Sequence, residues 1–144
     1  MDGTILALDV GEARIGLARG DLGSRFAFGR GFISRRGDAA DVAAVREAAA
    51  AEGASLLVVG LPRRTDGSDS DQTRKVREFI ALLRDAGLTV EVEDERFTTR
   101  LATHQLLGSG QKKRRRQEKG RVDEASAVLI LETYLLRQGV DVGE

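Results

Sequence analysis

The sequence predicts an α/β domain: a mixed five-stranded sheet, antiparallel over its first three strands and parallel afterwards, flanked by helices on both faces. Three observations predict it. Three strand-like segments succeed one another before residue 36 with only turns between them, the pattern of an antiparallel meander. Two later apolar segments are each preceded by a helix-like stretch, which calls for parallel crossovers. Ser55-Leu56-Leu57-Val58-Val59 is apolar without alternation, as in a strand covered on both faces.

Taken in order, residues 4–9 read as a short buried strand ended by Gly11, and residues 15–19 as its partner after a tight turn. A third strand spans 31–35. Asp38 caps an alanine-rich helix over 39–52, whose Val42, Val45 and Ala49 form an apolar face and whose stop signal is Gly53. After the strand at 55–59, a polar loop over 60–70 holds the only proline, Pro62. It feeds a helix over 71–86 with Val76, Phe79, Ile80 and Leu83 on one face and Gly87 at its end. Residues 89–93 form the fifth strand and run into Asp94 and Glu95. Thr98 or Thr99 caps a short helix to Leu107, and Gly108 and Gly110 open a basic segment. The last helix covers 123–137 and is apolar nearly all round, so it should be largely buried. Residues 1–138 make one domain and 139–144 a loose tail.

Composition narrows the chemistry. A chain of 144 residues with 41% apolar content supports one domain with a real core and is too short for two ordinary ones. It has no cysteine and one histidine, which removes disulfides, thiol nucleophiles and most zinc sites; any metal here must be held by oxygen. The opening run carries Asp2 and Asp9, no basic leader and no long apolar stretch, so a cytoplasmic protein without a membrane span is expected. The 23 basic and 23 acidic residues cancel, but nine of the basic ones and a single acid, Glu118, lie between Arg96 and Arg121. Such segregation suggests a polyanion site on an otherwise acidic protein.

Three carboxylates fall at element ends: Asp9 closes the first strand, Glu95 follows the fifth, and Asp123 opens the final helix. Open sheets place sites at such ends. Unpaired acids repel one another, whereas hard divalent cations, Mg²⁺ or Mn²⁺, neutralise them and keep positions open for water and phosphate oxygens. Two ions about 4 Å apart can activate a water and stabilise a departing oxygen, which suits phosphodiester hydrolysis. Each acid also has a plain structural role open to it. Asp9 can initiate the turn, Glu95 can pair with Arg96 or Arg100, Asp123 can be a helix cap, and Asp94 competes with Glu95 for the inward position.

Basic candidates for phosphate contact are Arg14 beside Gly11, then Arg96 and Arg100, and the run Lys112, Lys113, Arg114, Arg115, Arg116, Lys119 and Arg121 that leads to Asp123. A solvated charge run explains the same residues. The loop with Arg63 and Arg64 either touches substrate or only delivers a turn and a helix start. Low aromatic content, with Tyr134 in the core, argues for recognition by backbone and shape instead of base stacking. His104 lacks partners for a metal site.

Together these segments resemble the YqgF family, also called RuvX, over nearly the whole chain. The matching stretches are Leu8-Asp9-Val10-Gly11 with Arg14-Ile15-Gly16, Val58-Val59-Gly60-Leu61-Pro62 with Asp66-Gly67-Ser68, and Asp94-Glu95-Arg96-Phe97-Thr98-Thr99. The last is Lys119-Gly120-Arg121-Val122-Asp123-Glu124-Ala125-Ser126-Ala127-Val128 running into Ile130-Leu131-Glu132. The resemblance implies an RNase H-like nuclease fold related to the RuvC resolvases, with Asp9, Glu95 and Asp123 as metal-binding catalytic acids. Phe97 stands where the family commonly has leucine, and Arg63-Arg64-Thr65 departs from its leucine and asparagine pattern.

The family is described both as a Holliday-junction resolvase by fold and as the nuclease that processes the 5′ end of precursor 16S rRNA. The expected partner is therefore branched DNA or precursor rRNA. Paired cuts on a four-way junction imply a two-fold homodimer, whereas RNA processing can be done by a monomer. Two other classes stand beside these. Sugar kinases and actin-like ATPases resemble this fold and begin with a similar Asp-x-Gly strand, but they enclose ATP with a second domain that this length does not provide. A ribosome-associated RNA-binding module without catalysis is the remaining one.

Overall fold

The computed structural model describes residues 3–64, 66–95 and 115–138, with the backbone alone given over 115–119. The helix expected before Leu107, His104 and the tail at 139–144 lie outside the described residues. The strands are β1 (Thr4–Val10), β2 (Arg14–Asp21), β3 (Ala27–Ser34), β4 (Leu56–Leu61) and β5 (Val90–Asp94). The helices are α1 (Asp38–Glu52), α2 (Asp71–Asp85) and α3 (Arg115–Arg137). They form one sheet in the order β3-β2-β1-β4-β5. The pairs β1–β2 and β2–β3 are antiparallel, and β1–β4 and β4–β5 parallel, as the element order predicts.

Strand alternation sorts side chains into two cores. Leu6, Leu8, Ile15, Leu17, Leu57 and Val59 pack with Val45 of α1 and with Val76, Phe79 and Leu83 of α2. Ile5, Ala7, Ala18 and Val58 pack on the other face with Ala127, Ile130, Leu131 and Leu135 of α3. This second face is lined by small residues, so the long helix rests close to the sheet. A Cβ on Gly16 would overlap the Asp123 backbone, and one on Gly60 would overlap Ile130 and crowd Glu95.

Several boundaries differ from expectation. β3 begins at Ala27, not Gly31, because Gly29 and Gly31 belong to a bulge and do not break the strand. Ala18 pairs with Gly29 and Gly16 with Phe32, which leaves Arg30 and Gly31 opposite Leu17, with Gly31 at φ 82°. α3 begins at Arg115, so Asp123 lies inside the helix and is no cap. Arg, Gln, Glu and Lys are good helix formers, and Gly120 is pressed against the Phe32 ring, closer than any Cβ would allow.

Asp38 is not the cap of α1 either; that position is Gly37, which offers no side chain. Asp41 holds the helix start instead, accepting from Arg36 N–H at 2.9 Å and from Arg35 Nε at 2.9 Å. Burial pushes its carboxyl upward, but these hydrogen bonds and the Arg35 charge outweigh it, and its pKa lies below the ordinary value. Arg35 also donates to the Gly11 carbonyl at 2.9 Å and lies 4.9 Å from the centre of the Phe79 ring. α2 begins as expected, with Ser70 and Thr73 closing a capping box.

The aromatic residues divide. Tyr134 is buried, as expected, and donates to Glu91 at 2.7 Å. Phe26, Phe28 and Phe32, however, stand exposed on or beside β3.

Candidate active site

Asp9 is the next-to-last residue of β1, and alternation turns it toward the α3 face with Ile5 and Ala7. Its side is fully enclosed, at 0% exposure. On one flank it pairs with Gly16 of β2; on the other, one step beyond the Leu8–Val59 pair, comes Gly60 of β4. The turn after it is closed by Gly11 N–H donating to the Arg14 carbonyl at 2.9 Å.

Each flanking glycine carries one of the other acids. The Asp123 backbone sits on Gly16, and its carboxylate accepts from Arg14 Nε at 2.9 Å. The Glu95 side chain lies over Gly60, with Oε2 2.8 Å and Cγ 3.0 Å from where a Cβ would stand. Glu95 and Asp123 are 9% and 8% exposed. The run Asp123–Gly16–Asp9–Gly60–Glu95 thus sets three carboxylates from the beginning, middle and far end of the chain at one corner of the sheet. Neighbouring strands lie about 4.8 Å apart, so the missing side chains of the two glycines are what let the Asp123 backbone and the Glu95 side chain come down on the strands beside Asp9.

Alternation also separates Asp94 from Glu95. Val90 and Val92 belong to the α1–α2 core, and Asp94 continues their parity, 3.7 Å from Arg63 Nη1. Glu91 and Glu93 point to α3, where Glu93 receives a two-pronged contact from Arg137 at 2.7 and 3.1 Å. Glu95 shares that side.

The donor set suits a hard divalent cation: three carboxylates, nearly enclosed, at the end of a parallel strand pair. It is not drawn into one coordination sphere. Among the described residues no group of three acidic or histidine side chains is close enough to hold an ion, and Arg14 occupies an oxygen of Asp123. Arg14 is thus spent on a carboxylate in this state. Arg121 is exposed on α3; Arg115, Arg116 and Lys119 lie on the same helix, with only their backbone described. Arg96, Arg100, Lys112, Lys113 and Arg114 lie outside the described residues. In the 60–70 loop, Arg63 reaches toward Asp69 and Asp94, and Arg64 donates to the Asp69 carbonyl at 3.0 Å, an internally braced turn.

Sequence reasoning missed three contributors. Gly16 and Gly60 matter through close approach to residues far along the chain, for which a glycine in a strand is the only signal. Glu124 accepts from Gly31 N–H at 2.7 Å and so ties the Asp123 turn of α3 to the β3 bulge. The pair of glycines at 29 and 31 marks that bulge in the sequence.

The RuvX family model, described as Holliday junction resolvase, matches residues 3–137. A Thermus thermophilus protein named "Putative pre-16S rRNA nuclease" is 50% identical over 131 residues, covering 91% of this chain and 96% of that one. "Ribonuclease YqgF" of Deinococcus radiodurans is 46% identical over 134 residues, covering 93% and 88%. Among solved structures, Thermus thermophilus RuvC in complex with a Holliday junction substrate superposes with TM-score 0.52 at 13% identity, covering 96% of this chain and 97% of RuvC. The fold is therefore RNase H-like.

Proposed function

The chain belongs to the YqgF/RuvX family, and we propose that it is a divalent-metal-dependent endonuclease, of the two-metal-ion type, that hydrolyses phosphodiester bonds of structured nucleic acid in the cytoplasm. One observation carries this reading: the Asp123–Gly16–Asp9–Gly60–Glu95 run, which gathers three nearly buried carboxylates at one sheet corner.

Asp9, Glu95 and Asp123 would hold the metal. The chemistry that Mg²⁺ or Mn²⁺ would supply there is Lewis acidity toward a phosphate and a lowered pKa for a water. The chain's own residues prepare the place. β1 and β4 fix Asp9 and the glycine beside it, α3 presents Asp123, and Arg14 orients and neutralises Asp123 until substrate and metal arrive. Arg14, Arg96, Arg100 and the basic run Lys112, Lys113, Arg114, Arg115, Arg116, Lys119 and Arg121 supply phosphate contacts, which makes affinity fall steeply with salt.

Four-way DNA junctions and the 5′ end of precursor 16S rRNA both suit this site. The first requires a homodimer with two sites related by two-fold symmetry; the second requires one. Incubation with Mg²⁺ or Mn²⁺ and labelled junction, linear duplex and precursor rRNA in parallel tests both. Symmetric nicks confined to the junction establish a resolvase, and cleavage confined to the RNA establishes the processing enzyme. No cleavage of any of the three overturns the catalytic reading.

A further inference from the structure

Two phenylalanines on the outer strand are exposed where nothing in the catalytic corner uses them. Phe26, just before β3, and Phe28, within it, are each 63% exposed. A large apolar side chain left in water is informative when it is not isolated. Phe26 stands two residues before Phe28, a backbone span of about 6.8 Å in an extended chain. That is about twice the 3.4 Å base repeat of a stacked strand, so each ring can receive one base of a strand opened out from its stack.

Arginines neighbour the two phenylalanines in the chain and across the strand pair. Arg19 is the cross-strand partner of Phe28, Arg25 precedes Phe26, and Arg30 follows two residues after Phe28. Arg19 and Arg30 share a single carboxylate, Glu52, at 3.8 and 2.8 Å, so that trio keeps a net positive charge, and Arg25 adds to it. An aromatic-x-aromatic pair on an exposed strand, flanked by arginine, is how small RNA-binding sheets stack bases.

We propose that this face of β3 is a stacking platform for a single-stranded segment of nucleic acid. A second copy of the chain fits it less well. The bulge at Arg30 and Gly31 interrupts the outer edge that a continued sheet would need, and a two-fold pairing would set arginine against arginine. The platform deepens the nuclease reading and takes its substrate from it. Arg19, the partner of Phe28, pairs on its other side with Leu6 of the α1–α2 core, so this ring stands on the sheet face opposite the acids; a strand held there lies about 10 Å or more along β2 from the Asp9–Gly16 pair and reaches the catalytic corner only by passing round the β3 edge.

The test measures anisotropy of labelled oligouridylate, oligothymidylate and an oligo(dA)·oligo(dT) duplex in the presence of EDTA, so that binding is scored without cleavage. Phe26→Ala/Phe28→Ala should weaken single-strand binding about tenfold or more and leave duplex binding within about twofold, while Phe26→Tyr/Phe28→Tyr retains wild-type affinity. The RNA and DNA arms show which sugar is preferred. Unchanged single-strand affinity in the alanine variant, an equal loss on duplex, or no single-strand binding by the wild type overturns the platform. So does a dimer that the alanine variant converts to monomer in sedimentation velocity, which assigns the patch to a second copy. A wild type that binds through these rings yet cuts nothing overturns the catalytic reading alone.

Discussion

Arg14 and Asp123, 109 positions apart in the chain, meet as an ion pair at 2.9 Å between Nε and Oδ2. The contact joins the first residue of β2 to α3 beside Asp9, and the oxygen that Arg14 holds is one that a bound cation would also claim. Arginine and metal therefore compete for the same acid. Arg14→Gln should lower metal-free stability by about 1–3 kcal/mol, since a poorly hydrated carboxylate loses its partner. Mg²⁺ should restore more of the melting temperature in the variant than it adds to the wild type. Calorimetry with and without Mg²⁺ checks this; equal metal-induced shifts in both proteins would count against competition.

Asp9→Asn removes charge from an enclosed position without changing shape. Cleavage should fall at least about 10³-fold, equivalent to about 4 kcal/mol of barrier, while folding is retained. Single-turnover rates with Mg²⁺ measure the loss, and full activity in the purified variant would take Asp9 out of the mechanism.

Gly16→Ala should cost about 1–3 kcal/mol, because the obstacle is helix backbone that has nowhere to go. Gly29→Ala meets first the Glu124 side chain, which can move at the expense of its hydrogen bond from Gly31 N–H, and should cost less. Urea denaturation gives the ranking. Equal stability of Gly16→Ala and wild type would show that α3 does not rest on the sheet as described.

Acid should weaken the start of α1. The Asp41 pKa is lowered in the fold, so its stabilising contribution is complete above the unfolded value near 3.8 and is lost as pH falls through the lower folded value. Asp41→Asn should destabilise by about 2 kcal/mol near neutral pH, with the gap to wild type closing in stronger acid. Denaturant midpoints across that range decide; a gap independent of pH contradicts the role given to Asp41.

The sheet was legible because its signals are local. Alternation, glycine stops and helix-period apolar faces set β1, β2, β4, β5, α1 and α2 to within a few residues, and the three acids stood out as strand and helix termini. What the sequence hid depends on contact. Asp123 reads as a cap only until Gly120 is seen against Phe32, which lets the helix continue back to Arg115. Gly16 and Gly60 look like ordinary strand glycines until α3 and Glu95 are laid over them. Phe26 and Phe28 carry no local signal of exposure, which follows from their place on and just before the outer strand β3.

Arg35 gives the corner its stiffness. One guanidinium grips the Gly11 carbonyl in the β1–β2 turn, the Asp41 carboxylate in α1 and the face of Phe79 in α2. The short hairpin tip between Asp9 and Arg14 is thereby bolted to both helices beneath the sheet. Thermal motion that would loosen an ordinary surface turn must here disturb the hydrophobic interior as well, so the acid and the base at either end of that tip keep their spacing.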